Sequence, residues 1–230
     1  MSQRPPELDA FSGMVRLFPL PQLVLFPNMV HGFHIFEPRY RQMTADALAD
    51  DQLIALVLLQ PGYEADYFNS PAIYSAGCLG KIVGSKKTGD GRYHLDLRGL
   101  SRYRIRKEIA VPGKLYRCAE VDLLDEVPVA NDKKQEAYQK ELLDILTGWC
   151  GPKAKLLGMP VDVFNAVLPL GLIIDIATYL LPLPLAFKQE MLETPAVEER
   201  AEKLLAILEK NRPASAPGKH PSYPTKFSEN

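Results

Sequence analysis

Cysteine is scarce in this sequence of 230 residues, tryptophan occurs once, and the net charge is close to zero. The three cysteines, Cys78, Cys118 and Cys150, lie far apart and form no CxxC pair. A sparse, odd-numbered set excludes a disulfide framework and a zinc-ribbon site, and predicts free thiols in a reducing compartment, the cytoplasm. Lys and Arg number 27 against 28 for Asp and Glu, a formal charge of -1. That balance argues against a general polyanion binder and leaves room only for a local basic patch. Long hydrophobic runs are missing as well. A membrane-spanning helix takes roughly 20 apolar residues with few charges. The most apolar stretch, 163–187, is interrupted by Asn165, Pro169, Asp175, Pro182 and Pro184, and reads as pieces of a buried bundle. No apolar run follows the basic residue near the N-terminus, so no signal peptide is expected.

Catalytic signatures are also absent. No GxxxxGK[ST] loop is present to cradle a nucleotide phosphate, and GSKKTGDG at 84–91 has a different spacing inside an expected hairpin turn. There is no GxSxG elbow. His31 and His34 form an HxxH pair, but three residues apart on a strand means opposite faces, the wrong arrangement for two ligands of one metal. Cys78 and Cys118 fall in alternating strand runs and read as small core residues, and nothing places a histidine beside a cysteine. Carboxylates such as Glu198, Glu199 and Glu202 lie on a helix face and read as solvated surface. No cofactor, no metal and no catalysis are expected.

What the sequence has in quantity is proline, 20 residues, within a composition that is 47% hydrophobic. Pro19, Pro21 and Pro27 cut the apolar stretch 14–36 into pieces too short for helices, and proline belongs at strand starts, edges and bulges. Short core strands are predicted at Val15–Phe18, Leu23–Phe26 and Phe33–Phe36. A helix follows over Arg39–Asp50, opened by Pro38. The run 53–59, LIALVLL, predicts a strand covered on both faces, and 62–77 a long loop carrying Tyr63, Tyr67, Phe68 and Tyr74. Asp90-Gly91 between two alternating runs predicts a hairpin. The alternation around 116–123 slips once near Ala119, the signature of a bulge. After Val127 the period becomes helical. Asp132 is expected to cap a helix to Trp149, with Leu142, Leu146 and Trp149 on its apolar face. Asp162 is expected to cap a short helix ending near Pro169, and a further helix covers Leu170–Leu181. Pro184 opens another, and Thr194-Pro195 is read as the cap of the last. Strands first and helices afterwards indicate an α+β fold with a segregated helical half.

Three segments in order, LFPLPQLVLFPNMVHGFHIFEPRYRQM, then GCLGKIV with DGRYHLDLRGLSRYRI, then LPLPLAFKQEMLETPAVEERAEKLLAILEK, resemble the N-terminal substrate-binding domain of Lon proteases. The resemblance runs from about Val15 to Asn211. It implies a PUA-like β-barrel subdomain followed by a C-terminal helical bundle. The expected divisions are an N-terminal extension at 1–13, the β-rich subdomain at 14–127, the helical subdomain at 128–211 and a disordered tail at 212–230. It also implies a stand-alone, non-catalytic module that binds unfolded or degron-bearing polypeptides, with Lon itself or its substrates as partners. Neither the ATPase nor the Ser–Lys peptidase of Lon is matched.

Two surfaces compete for the binding role. Tyr63, Tyr67, Phe68 and Tyr74, with Met29 and Phe33, are candidates for holding apolar segments of a protein. The same rings can instead fold back to cap the β core. Arg98, Arg102, Arg104 and Arg106, interleaved with Tyr93 and Tyr103, are candidates for a nucleic-acid face. The competing assignment pairs these arginines with Glu120, Asp122, Asp125 and Glu126 of a neighbouring strand.

Overall fold

A computed structural model of the chain describes residues 5–67, 69–150 and 168–210, with 148–150 described by their backbone alone. The alternating apolar segments of the first half build six strands: β1 (Met14–Leu20), β2 (Val30–Ile35), β3 (Leu53–Leu59), β4 (Ile73–Lys87), β5 (Tyr93–Ile109) and β6 (Cys118–Leu124). Helix α1 (Pro38–Leu48) lies between β2 and β3. Helices α2 (Asp132–Cys150), α3 (Leu170–Leu180), α4 (Leu185–Glu193) and α5 (Val197–Lys210) follow the strands. β1 pairs in parallel with β3, and antiparallel pairs β3–β4, β4–β5, β5–β6 and β6–β1 close a five-stranded barrel. β2 stands outside this closure, paired with the first half of β5.

β3 explains how the two halves share one core. Leu53, Ala55 and Val57 point into the barrel with Leu17, Leu79, Tyr103 and Val121. Ile54, Leu56 and Leu58 point outward, into a second apolar cluster built with Phe26 and Met43 and with Ile173 and Leu204 of the helical half. A strand buried on both faces reads as a continuous apolar run, as LIALVLL does. The Asp90-Gly91 turn is also as expected: Gly91 has φ +78°, and Thr88 N–H donates to the Arg92 carbonyl.

Several local expectations are corrected. Pro19 lies inside β1, in register with Val57, because β6 covers only Met14–Arg16 on the other side of that strand. A missing N–H is harmless where no neighbour needs it. Leu23–Phe26 is no strand: it is an irregular segment between Pro21 and Pro27, with Leu25 and Phe26 fully buried. The loop before β4 ends sooner than 77, since Ile73 already pairs with Leu59. The bulge near Ala119 sits on the opposite strand, where the β5 register shifts between Ile105 and Lys107. The cap of α2 is Asn131, whose side-chain oxygen accepts from the Lys134 N–H, not Asp132. Thr194 closes α4 by donating to the Glu190 carbonyl, and α5 opens from Ala196 instead, held by a bridge between Ala196 and Val127. The Asp162 helix, the Trp149 side chain, Phe68 and the 212–230 tail lie outside the described residues or side chains.

A group of four charges, all buried but the partly exposed Glu126, ties barrel to helices. Arg102 of β5 donates to Asp175 of α3 at 2.6 Å and lies 3.5 Å from Glu126, in the segment that leaves the barrel. Arg200 of α5 reaches both Asp175 and Glu126. Two cations face two anions, so the set is neutral. Arg102 and Arg200 are 2% and 0% exposed, and the Nε of each is without a partner. A Cβ on Gly171 would stand 2.9 Å from a Glu126 oxygen, so a larger residue there would displace the Glu126 carboxylate from its place in the group.

Two outcomes are expected. Arg200→Met leaves the buried Asp175 and the partly exposed Glu126 facing one guanidinium, and should destabilise the fold by roughly 3 kcal/mol in chemical denaturation. An unchanged midpoint would show that the four charges contribute little. Burial pushes the Cys78 thiol up to about 12 and raises that of Cys118. Since only the thiolate alkylates, iodoacetamide at pH 8 should leave both unmodified in the native protein and modify both in denaturant, as read by peptide mass spectrometry.

Candidate functional site

The proline and glycine turns that end β3 and join β5 to β6 place two irregular segments side by side. Between them lies a cleft of about 400 Å³. Its floor is Pro19, Tyr40 and Cys118. One wall is Tyr67 and Pro71 from the segment after β3. The other is Val111, Leu115 and Tyr116 from the β5–β6 turn. Leu115 is 64% exposed, an unusual position for a leucine, and stands on the rim.

The charged groups around the cleft are committed to partners. Arg117 holds the Glu108 carboxylate with two bonds of 2.7 and 2.6 Å and donates to the Pro71 carbonyl at 2.7 Å, which joins the two walls. Arg39 donates to the Tyr67 carbonyl and pairs with Glu37. Lys114 and the Tyr116 hydroxyl both donate to Asp46, at 2.9 and 2.8 Å. Tyr67 donates to Glu37 at 2.9 Å; burial raises its phenol, and the bond to Glu37 raises it further. What faces the opening is therefore a mixed surface, in which Tyr67, Val111, Leu115 and Tyr116 stand among charged groups already paired with neighbours, with no nucleophile beside a base among the described residues. Cys118 on the floor has its thiol raised by burial, the opposite of activation.

The aromatic candidates are partly brought together. The Arg39 guanidinium lies 4.7 Å from the Tyr40 ring and 5.1 Å from the Tyr67 ring, and the Tyr63 ring stands 6.2 Å from Tyr67. In the other direction Tyr40 meets Phe18 at 4.7 Å, and Phe18 meets Phe33 at 5.4 Å. Phe33, Met29 and Tyr74 are half-buried against the core shared with the helices, so their rings and thioether serve packing first. Of the described candidates, only Tyr67 lines the cleft. Leu115, Val111 and Tyr116 escaped sequence reasoning because they sit in a strand–turn segment that otherwise alternates normally. The one available signal was an apolar leucine directly after Pro112-Gly113-Lys114.

The arginine strand is dispersed. Arg102 is inside the four-charge group. Arg98 pairs with Glu7 at 2.5 Å, and Arg106 holds Asp122 at 2.5 and 3.0 Å. Arg104 is exposed, in register with Asp122. Arg106 thus pairs across the strands with Asp122, whereas the chief partner of Arg102 is Asp175 of α3, with Glu126 beyond β6 at 3.5 Å. His31 and His34 face opposite sides: His31 is half-buried, its Nδ1 2.6 Å from the Tyr179 hydroxyl, and His34 is exposed.

This architecture matches known proteins. A family model described as the ATP-dependent protease La (LON) substrate-binding domain matches residues 14–210. The Lon protease of Anaeromyxobacter dehalogenans is 23% identical over 200 residues, which cover 87% of this chain and 23% of that protein. The Lon protease of Escherichia coli is 25% identical over 195 residues, 85% of this chain and 24% of that protein. The chain thus spans about a quarter of the length of these relatives. Among solved structures, the N-terminal domain of the Mycobacterium avium complex Lon protease superposes with a TM-score of 0.68 at 20% identity, covering 86% of this chain and 99% of that one. A Lon N-terminal domain protein from Xanthomonas campestris gives 0.57 at 22% identity, covering 84% and 97%. With a closed barrel, a segregated helical half and a family model that spans both, this chain belongs to the LON substrate-binding domain family.

Proposed function

We propose that this chain is a non-catalytic module that binds unfolded or degron-bearing polypeptides, and that the cleft under Leu115 receives an apolar side chain of the bound segment. The observation that carries this reading is a cleft of mixed lining whose apolar part, Tyr67, Val111, Leu115 and Tyr116, is grouped beside charges held by neighbours. A peptide side chain entering it displaces water from Tyr67, Val111, Leu115 and Tyr116 and meets no unpaired charge. Family membership supports the same role, since its model is described by substrate binding. Lon protease or its substrates are the natural partners to test. No helix among the described residues is long and apolar enough to cross a membrane, and the reducing setting suited to free Cys78 and Cys118 is consistent with a cytoplasmic protein.

Burying one Leu- or Phe-sized side chain contributes about 1.5–3 kcal/mol, and ordering an extended segment offsets part of it. The affinity is accordingly modest, with several apolar residues of a client needed for useful binding. The nucleic-acid alternative has little support once Arg102 is enclosed and Arg98 and Arg106 are paired.

Fluorescence anisotropy with a labelled, permanently unfolded polypeptide tests the proposal. Binding should persist as salt is raised, because apolar burial is strengthened or unaffected by salt, and should weaken about tenfold or more in Tyr67→Ser with Leu115→Asp, a loss in line with removing one buried anchor. Binding only to single-stranded RNA, falling steeply with salt, would favour the alternative. Unfolded-chain binding that ignores both substitutions would move the site away from the cleft.

A further inference from the structure

Natural sheets protect their edges with charged residues, proline, bulges or a covering element. β2 has none of these devices. Its sequence, VHGFHI, contains no lysine, acid or proline. Among the described residues it pairs only with β5, and its register along Arg98–Tyr93 is unbroken. The remaining strands close into the barrel, apart from the far end of β4, Gly84–Lys87, which among the described residues pairs only with β5 and carries the protective charges Lys86 and Lys87.

The hydrogen-bond phase shows which groups are open. Asn28 N–H donates to the Gly99 carbonyl, and Gly99 N–H donates to the Met29 carbonyl, so Gly99 directs both its backbone groups at the β2 side. Backbone direction alternates along a strand. Leu97, Leu95 and Tyr93 therefore bond to His31, Phe33 and Ile35, and the N–H and C=O of Val30, Gly32 and His34 face away from β5. Among the described residues no backbone group bonds to them. All three residues are exposed, with Val30 at 53%. Gly32, in the middle, carries no side chain, and the exposed Asp96 of β5 lies opposite it, one carboxylate oxygen 3.3 Å from where a Cβ would stand.

The chemistry beside this edge selects an occupant. His34, His94 and Lys86 stand in one cross-strand row, with the two imidazole rings 4.9 Å apart. Exposed Phe36 stacks on His34 at 6.2 Å. A residue added to that row would sit beside the two imidazoles and the Lys86 ammonium, which favours a carboxylate there, whereas the next row, through Gly32, holds the exposed Asp96 and disfavours one. The apolar Val30 and Phe36 flank it.

We propose that the open edge of β2 is a second polypeptide-binding site, which captures an extended segment as an additional strand, with a carboxylate of that segment beside His34. It rests on the polypeptide-binding reading but uses a different face and a different force. Backbone bonding ignores client sequence, as suits a receptor for unfolded chains, whereas the cleft reads an apolar side chain.

The probe is a fluorescein-labelled octapeptide of alternating valine and threonine with one central glutamate. An analogue with four successive central amides N-methylated should bind at least about tenfold more weakly, since two or three backbone hydrogen bonds are lost. Replacing its glutamate with lysine should weaken binding about threefold through the lost charge complementarity. Gly32→Pro removes an outward N–H without touching the β2–β5 ladder, and should weaken the parent peptide about as much as N-methylation while circular dichroism and Tm stay unchanged. Should that variant fail to fold, the N-methylated peptide on the unsubstituted chain decides alone. Equal binding of the methylated and parent peptides, or of a folded Gly32→Pro variant, would overturn the proposal. So would a β2-to-β2 dimer that is seen by sedimentation and abolished in Gly32→Pro, because a second copy would then be the occupant. The two sites fail separately: the Tyr67→Ser with Leu115→Asp variant should keep its sensitivity to N-methylation, whereas loss of the edge alone leaves cleft-dependent binding of the unfolded polypeptide in place.

Discussion

The molecule depends on four charges, three of them buried, where barrel and helices meet. Arg102, Arg200, Asp175 and Glu126 come from a strand, two helices and the segment between them. Such a set is costly to desolvate and weak evidence for net stability, yet strongly unfavourable to leave incomplete. Its effect is therefore one of selection. Apolar packing alone would tolerate many sliding positions of α3 and α5 against the barrel, but only one position pairs both guanidiniums with both carboxylates. Gly171 belongs to the same constraint, because any larger residue would push Glu126 out of line.

With the helices placed, the barrel needs them only along one side. The opposite end is left to two irregular segments, and ion pairs again do the positioning. Arg117 bridges both walls of the cleft, while Arg39 holds Tyr67 through its carbonyl and its ring. The apolar surface that remains open is small and preorganised, so binding there loses little entropy on the protein side. The β2 edge differs in kind. Its open groups are backbone, arranged by strand phase and not by side-chain chemistry. Cleft and edge together give a polypeptide two ways to be held, one by a side chain and one by its backbone.

Much of the fold was legible from residues alone. LIALVLL announced a doubly buried strand, Asp90-Gly91 a hairpin, and Pro38 and Pro184 the starts of helices, because each signal is local and sterically enforced. Caps were less legible. Asn131 and Asp132 are both good capping residues, and only the chain path selected the first. Thr194 had the right chemistry to open α5, but its hydroxyl found the Glu190 carbonyl one turn behind. Pro19 showed that a proline rule depends on neighbours: β6 is too short to reach it.

The sequence by itself determined the order of strands and helices, the helical and strand periods, the absence of a phosphate loop, and the resemblance to Lon substrate-binding domains. These follow from residue spacing and backbone sterics, which act over a few positions. The tertiary structure alone decided which charged residues are interior. Arg102 and Arg104 alternate in one strand and look alike in sequence, yet one is enclosed with Asp175, 73 residues away, and the other is exposed. It alone also brought Leu115 opposite Tyr67 and left β2 outside the barrel, because both depend on which distant strands the chain pairs when the sheet closes.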